Sequence, residues 1–287
     1  MPAMRRALLR VAVAAGLLGL CGSAAAEALR AAATIFPVYD ILREVGGPLV
    51  EPVLILPPGA SPHTFEPRPS NARALAHAGI LFRVGHGLDD WAAGLAEASG
   101  VRRSVQVDGA IDLRRTADGS VDPHYWLSCR NAQAIARSVA GELALLLPER
   151  RAELERRLAD CLARLDAADR EIRKILEHLA SRSIATLHDG FGYFADAYGL
   201  TIAAIFEPSG DREPSPRAVA EFQRRVRAAN VRAIFAEPQL SKDAIRPIAG
   251  DLHLPVSTLD DLGGVPGRDS CASLLLFNAR QVADALK

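Results

Sequence analysis

Between Glu149 and Leu179 the apolar residues Leu154, Leu158, Leu162, Leu165, Ile172, Ile175, Leu176 and Leu179 recur every three or four positions, the period of one helix face. No Gly or Pro interrupts the stretch, Pro148 suits a first turn, and Ala, Leu, Arg and Glu dominate it. It predicts one long helix, spanning about 45 Å at 1.5 Å per residue. On either side the pattern changes to short β-branched and aliphatic runs alternating with helix-period segments. Strands are predicted at Ala31 to Ile35, Val53 to Leu56, Ile80 to Val84 and Val105 to Asp108, then at Ser183 to Leu187, Thr201 to Phe206, Arg232 to Ala236 and Pro255 to Leu259. Helices are predicted at Asn71 to Ala78 behind an N-cap at Ser70, and at Asn131 to Leu147, Phe191 to Tyr198, Ser215 to Ala229 and Ala244 to Leu252. Four strands on each side imply an α/β protein of two (β/α)4-type lobes with parallel sheets, joined by one long rigid backbone helix. The expected divisions are residues 27–148, 149–180 and 181–287; an ordinary helix inside one large domain is the alternative.

The first 26 residues depart from this pattern. Arg5, Arg6 and Arg10 precede a short apolar run from Val11 to Leu20, and Ala24, Ala25 and Ala26 form a small-residue cleavage site, together a secretory signal peptide. The mature chain is expected to begin at Glu27 and to carry a net charge of −3, since the leader removes three Arg and no acid. Cys21 raises a lipoprotein signal, but Leu20 stands where such signals carry Gly, Ala or Ser. Balanced charge and no Lys/Arg cluster interleaved with aromatics argue against a nucleic-acid partner. Export to the periplasm implies an oxidising compartment. Cys129, Cys161 and Cys271 then admit one disulfide, with Cys129 and Cys161 the favoured pair; three buried unpaired thiols are the alternative.

Ligands of open parallel sheets bind beyond the carboxyl ends of the strands. His63 falls in the loop after the second predicted strand, His124 after the fourth and His188 directly after the fifth; Glu237 and Asp260 directly follow the last two. Two lobes facing across a cleft would bring imidazoles from one side towards an imidazole and a carboxylate from the other. Three neutral imidazoles and one carboxylate suit zinc, whereas Ca²⁺ and Mg²⁺ prefer all-oxygen sets. His77, His178 and His253 lie away from strand ends and are read as structural or solvated. His86, after the third strand, is on the cleft side.

At these residues the chain resembles the cluster A-I solute-binding proteins of bacterial zinc and manganese ABC transporters. PPGASPHTFEPRPSNARAL resembles the family's first ligand segment, DPHYWLSCRNAQAIA the second and TLHDGFGYFADAYGL the third; EPSPRAVAEF, IFAEPQLS and TLDDLGG resemble further signatures. The resemblance implies His63, His124, His188 and Asp260 as metal ligands, with Glu237, Asp261 and Glu66 in support around them. It also implies a rigid helix between the lobes and delivery of the metal to a permease with its ATPase. Manganese binders of the family often carry Glu where His188 stands, which leans the ion towards Zn²⁺ with Mn²⁺ the alternative. Three departures stand out. Ser128 and Cys129 replace a common Asp-Pro, Asp261 replaces a Pro and competes with Asp260, and Arg115 to Val121 is short where many zinc members carry a long His-rich loop.

The expectation is therefore a monomeric periplasmic zinc receptor for an ABC importer, not an enzyme, with a zinc chaperone as a further partner. A zinc hydrolase using Glu237 as general base is the alternative from another class. A four-ligand site argues against it, because catalytic zinc keeps a position open. A siderophore or corrinoid binder fits poorly, since such clefts need aromatics and these are 5% of the chain.

Overall fold

The computed structural model describes residues 27–207 and 215–287. The signal peptide, Cys21 and part of the EPSPRAVAEF segment lie outside those residues. Among the described residues, eight strands form two parallel four-stranded sheets. The first contains β1 (Leu29–Ala33), β2 (Val50–Leu54), β3 (Ile80–Arg83) and β4 (Ser104–Gln106) in the order β2-β1-β3-β4. The second contains β5 (Ser183–His188), β6 (Thr201–Glu207), β7 (Ile234–Ala236) and β8 (Val256–Thr258) in the order β6-β5-β7-β8. All eight strands fall where the apolar runs predict them, within a few residues at each end.

The helices follow the local chemistry. In α1 (Phe36–Gly46) Pro37 occupies the first turn, where its missing N–H costs nothing, and Gly47 at φ +51° ends the helix. The next three are α2 (Pro69–Leu75), α3 (Trp91–Ala98) and α4 (Cys129–Leu146), the last capped by Ser128 accepting from the Asn131 amide at 3.2 Å. The long helix α5 runs Arg151–Ile175, entered through a 3-10 turn at Pro148–Arg150. It covers 25 residues, about 38 Å, and stops short of the predicted Leu179. Arg182 ends it by donating to the carbonyls of Leu176 and Glu177 at 3.0 and 3.3 Å. Leu176 and Leu179 still pack on the core, so the apolar period outruns the helix. The remainder are α6 (Gly192–Tyr198), α7 (Pro216–Ala228), α8 (Ile245–Leu252) and α9 (Cys271–Leu286). The sequence pattern set no bounds for α1 and α9, both of which pack against α5.

Each sheet buries its two faces in different cores. Ala31, Ala33 and Phe82 of the first sheet and Ile184 and Phe235 of the second share one cluster with α4, α5 and α9. Their neighbours on the opposite faces, Ala32 and Leu81 in one lobe and Ala185 and Leu187 in the other, pack into a separate cluster within each lobe. Strands covered on both faces read as continuous apolar runs, which is why they were visible in the sequence. The common core seats both sheets on one helical layer and faces their carboxyl ends towards each other. Cys129, Cys161 and Cys271 are all buried and unbonded, so the disulfide between Cys129 and Cys161 does not form. No helix among the described residues is long and apolar enough to cross a membrane.

Candidate metal centre

Three imidazoles converge at the seam between the lobes. His63, His124 and His188 each offer a ring nitrogen, and these atoms all lie within 4.8 Å of one another. The Nε2 atom of His124 is 3.2 Å from Nε2 of His63 and 3.3 Å from Nε2 of His188.

Each ring is placed by its own element. His63 sits exposed in the loop after β2, where the Trp91 indole donates to the Pro62 carbonyl at 3.2 Å and fixes the neighbouring backbone. His124 is buried and held from behind by Asp122, whose Oδ1 accepts from the His124 amide at 3.0 Å and pairs with Nδ1 at 2.9 Å. His188 is the last residue of β5, and its Nδ1 pairs with Glu237 Oε1 at 2.8 Å across the end of β7. The His188 ring lies over Gly190, where a Cβ would stand 2.5 Å from Cε1; a side chain there would push the ring out of the cleft. Carboxylates on both Nδ1 atoms hold a proton there, so that each ring, once it gives up any Nε2 proton, turns an Nε2 lone pair inwards.

The electrostatics differ between the rings. Although His63 is exposed as a residue, its Nε2 is part-buried against the other rings; that local withdrawal from bulk water, then the nearby His124 and His188, push it down to about 3, so it is a neutral donor. Burial alone would depress His188 too, but the hydrogen-bonded Glu237 carboxylate, with Asp261 and Asp189 nearby, outweighs it and raises the imidazole to about 9. Burial pushes Glu237 upwards while its imidazolium partner opposes that push, so the pair keeps an extra proton at neutral pH.

The two adjacent carboxylates after β8 are differently engaged. Asp260 is not among the groups brought together with the imidazoles. Its Oδ1 accepts from the Leu262 and Gly263 amides at 2.9 and 3.0 Å, and its Oδ2 pairs with Arg268 at 2.7 Å. Asp261 is buried, holds Gln239 through Oδ1 and leaves Oδ2 without a partner. Glu66, expected in support, is exposed and makes no hydrogen bond within the described residues. His86 pairs instead with Asp108 at 2.6 Å, away from the three rings. His77, His178 and His253 also lie outside the cluster.

Sequence reasoning missed Asp122, Gln239 and Trp126. Asp122 had a local signal, because an Asp two residues before a His can bond both its amide and its ring. Trp126 stands with its ring centroid 5.4 Å from that of His124 and donates to the Asp261 carbonyl across the seam, a contact with no sequence signature.

Two parallel-sheet lobes on a shared helical layer, with imidazoles from both meeting at the seam, define a metal-binding receptor of the solute-binding class. Residues 32–285 match the family described as "Zinc-uptake complex component A periplasmic", ZnuA, and the chain belongs to that family. A crystal structure of ZnuA superposes with a TM-score of 0.83 at 30% identity, covering 90% of this chain and 99% of that one. The "Manganese ABC transporter substrate-binding lipoprotein PsaA" of Streptococcus anginosus is 24% identical over 293 residues, spanning 96% of this chain and 95% of that protein. The "Iron ABC transporter substrate-binding lipoprotein MtsA" of Streptococcus pyogenes serotype M1 is likewise 24% identical, over 92% of this chain and 91% of its own length. The protein is thus the metal-binding component of an ABC transporter, which works with a permease and an ATPase. It is a receptor and not an enzyme, which removes the hydrolase alternative.

Proposed function

We propose that the protein is a periplasmic zinc receptor, exported by the segment before Glu27, that takes up Zn²⁺ through His63, His124 and His188 and presents it to the permease. One observation carries the reading. Ligands 2.0–2.1 Å from a tetrahedral zinc stand about 3.3 Å apart, and the two closest Nε2 pairs here are 3.2 and 3.3 Å apart. A donor set of three imidazoles is borderline-soft, which favours zinc over manganese, an ion better served by carboxylates and water.

A carboxylate from the Asp260–Asp261 pair would close the coordination. Resemblance favours Asp260, whereas hydrogen bonding favours Asp261: every oxygen of the Asp260 carboxylate already has a partner, and Asp261 Oδ2 has none. Glu237 and Asp122 act from behind the ligands, fixing His188 and His124.

The direct test is competitive titration of the mature chain with Zn²⁺ and Mn²⁺. Tighter zinc binding that is lost in His63→Ala and His124→Ala is the expected result. Wild-type affinity in both variants, or preferential manganese binding, would overturn the reading.

A further inference from the structure

The geometry points to Arg114 as a positioning residue that ties the orientation of His124 to the docking of the C-terminal lobe, so that it sets how long a bound metal stays. The inference rests on the receptor reading above. Arg115 and Val121 pair as a short antiparallel bridge, and the Asp122 amide donates to the Arg114 carbonyl at 3.0 Å. Arg114 and Asp122 therefore stand side by side at the base of this hairpin, and Asp122 is the carboxylate that holds His124.

From that base Arg114 reaches into the other lobe. Its amide donates to the Tyr193 hydroxyl at 2.7 Å, and the same hydroxyl donates to the Asp122 carbonyl at 3.1 Å. Its guanidinium pairs with Asp196 of α6, lies 5.7 Å from the Tyr193 ring centroid, and covers Gly192, where a Cβ would stand 2.6 Å from Nε. Tyr193, Gly192 and Asp196 all belong to α6, which begins four residues after the ligand His188.

The arrangement sets one cation between a carboxylate of each lobe. Nε of Arg114 is buried without a hydrogen-bond partner, yet points within 3.6 Å of Asp122 Oδ2. Without the guanidinium, the buried Asp122 would lose the cation beside its Oδ2 and keep only His124 as a partner, and the link to Asp196 of the other lobe would be gone. Asp122 would then be drawn from its place behind His124, or the lobes would part. Either way the ligand loses its orientation at the same moment as the lobe contact loosens.

The test uses the full mature chain in three forms: wild type, Arg114→Ala and Tyr193→Phe. Zinc release into excess chelator is followed by stopped flow. Spin labels at Glu97→Cys on α3 and Ala228→Cys on α7, both exposed, report the distance between lobes with and without metal. Arg114→Ala is expected to speed release by about 10–100-fold, the range for groups behind a metal ligand, and to lengthen or broaden the interlobe distance even without zinc. Tyr193→Phe, which keeps the charge pairs and loses two hydrogen bonds, is expected to fall between. Arg114→Lys, which keeps the charge but not the fork, should recover part of the loss. An Arg114→Ala protein with unchanged release rate and unchanged distances would overturn the proposal, whatever its melting temperature. Failure of the wild type to bind zinc would instead sink the zinc reading of the site, and the metal-free distances would still decide the role of Arg114.

Discussion

The two sheets are wound in the same order, β2-β1-β3-β4 and β6-β5-β7-β8, but the side chains beyond their carboxyl ends are unlike. The N-terminal lobe offers His63 on an exposed loop and His124 braced by one carboxylate. The C-terminal lobe offers a single buried ring, His188, backed by Glu237, with Asp261 close behind. Repeating a fold repeats the place where ligands gather, not their chemistry. The first lobe supplies one neutral donor at the solvent edge, His63, beside the buried His124, and the second supplies most of the negative charge that makes a dication welcome.

The largest test of this asymmetry removes one ring from each lobe. His188→Ala is expected to cost more zinc affinity than the 10–100-fold typical of supporting groups, because it removes a buried ligand and strands Glu237 without a partner. His63→Ala, on the exposed loop, should cost less. Chelator competition on both variants measures the difference, and equal losses would mean that burial does not rank the ligands.

Next in size is Glu237→Gln, expected to weaken zinc by about 10–100-fold, with Asp122→Asn in the same range. The two differ in proton linkage. His188 is raised to about 9 in the metal-free protein, so it is protonated at neutral pH and must lose that proton to bind. Zinc affinity should therefore rise with pH from 6 until about 9 and then level off. Calorimetry in buffers of different ionisation enthalpy should record close to one proton released at pH 7 in the wild type and less in Glu237→Gln.

The smallest effect on affinity is expected at Asp260. Asp260→Asn should leave zinc binding unchanged and lower the stability of the metal-free protein by about 1–3 kcal/mol, through loss of a buried charge-assisted bond to Arg268. Urea unfolding measures the second quantity. Asp261→Asn should do the reverse, and a larger affinity loss at Asp260 would move the carboxylate ligand back to that residue.

Much of this was open to reading in the chain itself. The strands showed because both faces of each sheet are buried, and His63, His124 and His188 showed because each stands at or beyond the end of a separate strand. What stayed hidden depends on how loops bend. Asp260 is taken up by Arg268, eight residues downstream, and the turn that returns Arg268 needs Gly263 at φ +72°, where a Cβ would strike the Arg268 carbonyl at 2.8 Å. Periodicity carries no record of that return. Nor could it end α5 at Ile175, since the stop comes from Arg182 while the apolar stripe continues. The bridge from Arg114 to α6 joins residues 82 apart, and only the folded chain brings them within reach.

Cys129, Cys161 and Cys271 lie in the same interior cluster that seats both sheets. Burial pushes Cys129 and Cys161 up to about 12, and Cys271 upwards as well, so all three sulfurs stay as thiols at any pH the protein meets. Burial thereby disfavours the soft thiolates that would otherwise rival the histidines for the cargo ion. Among the described residues the framework also holds no cross-link for a reductant to cut.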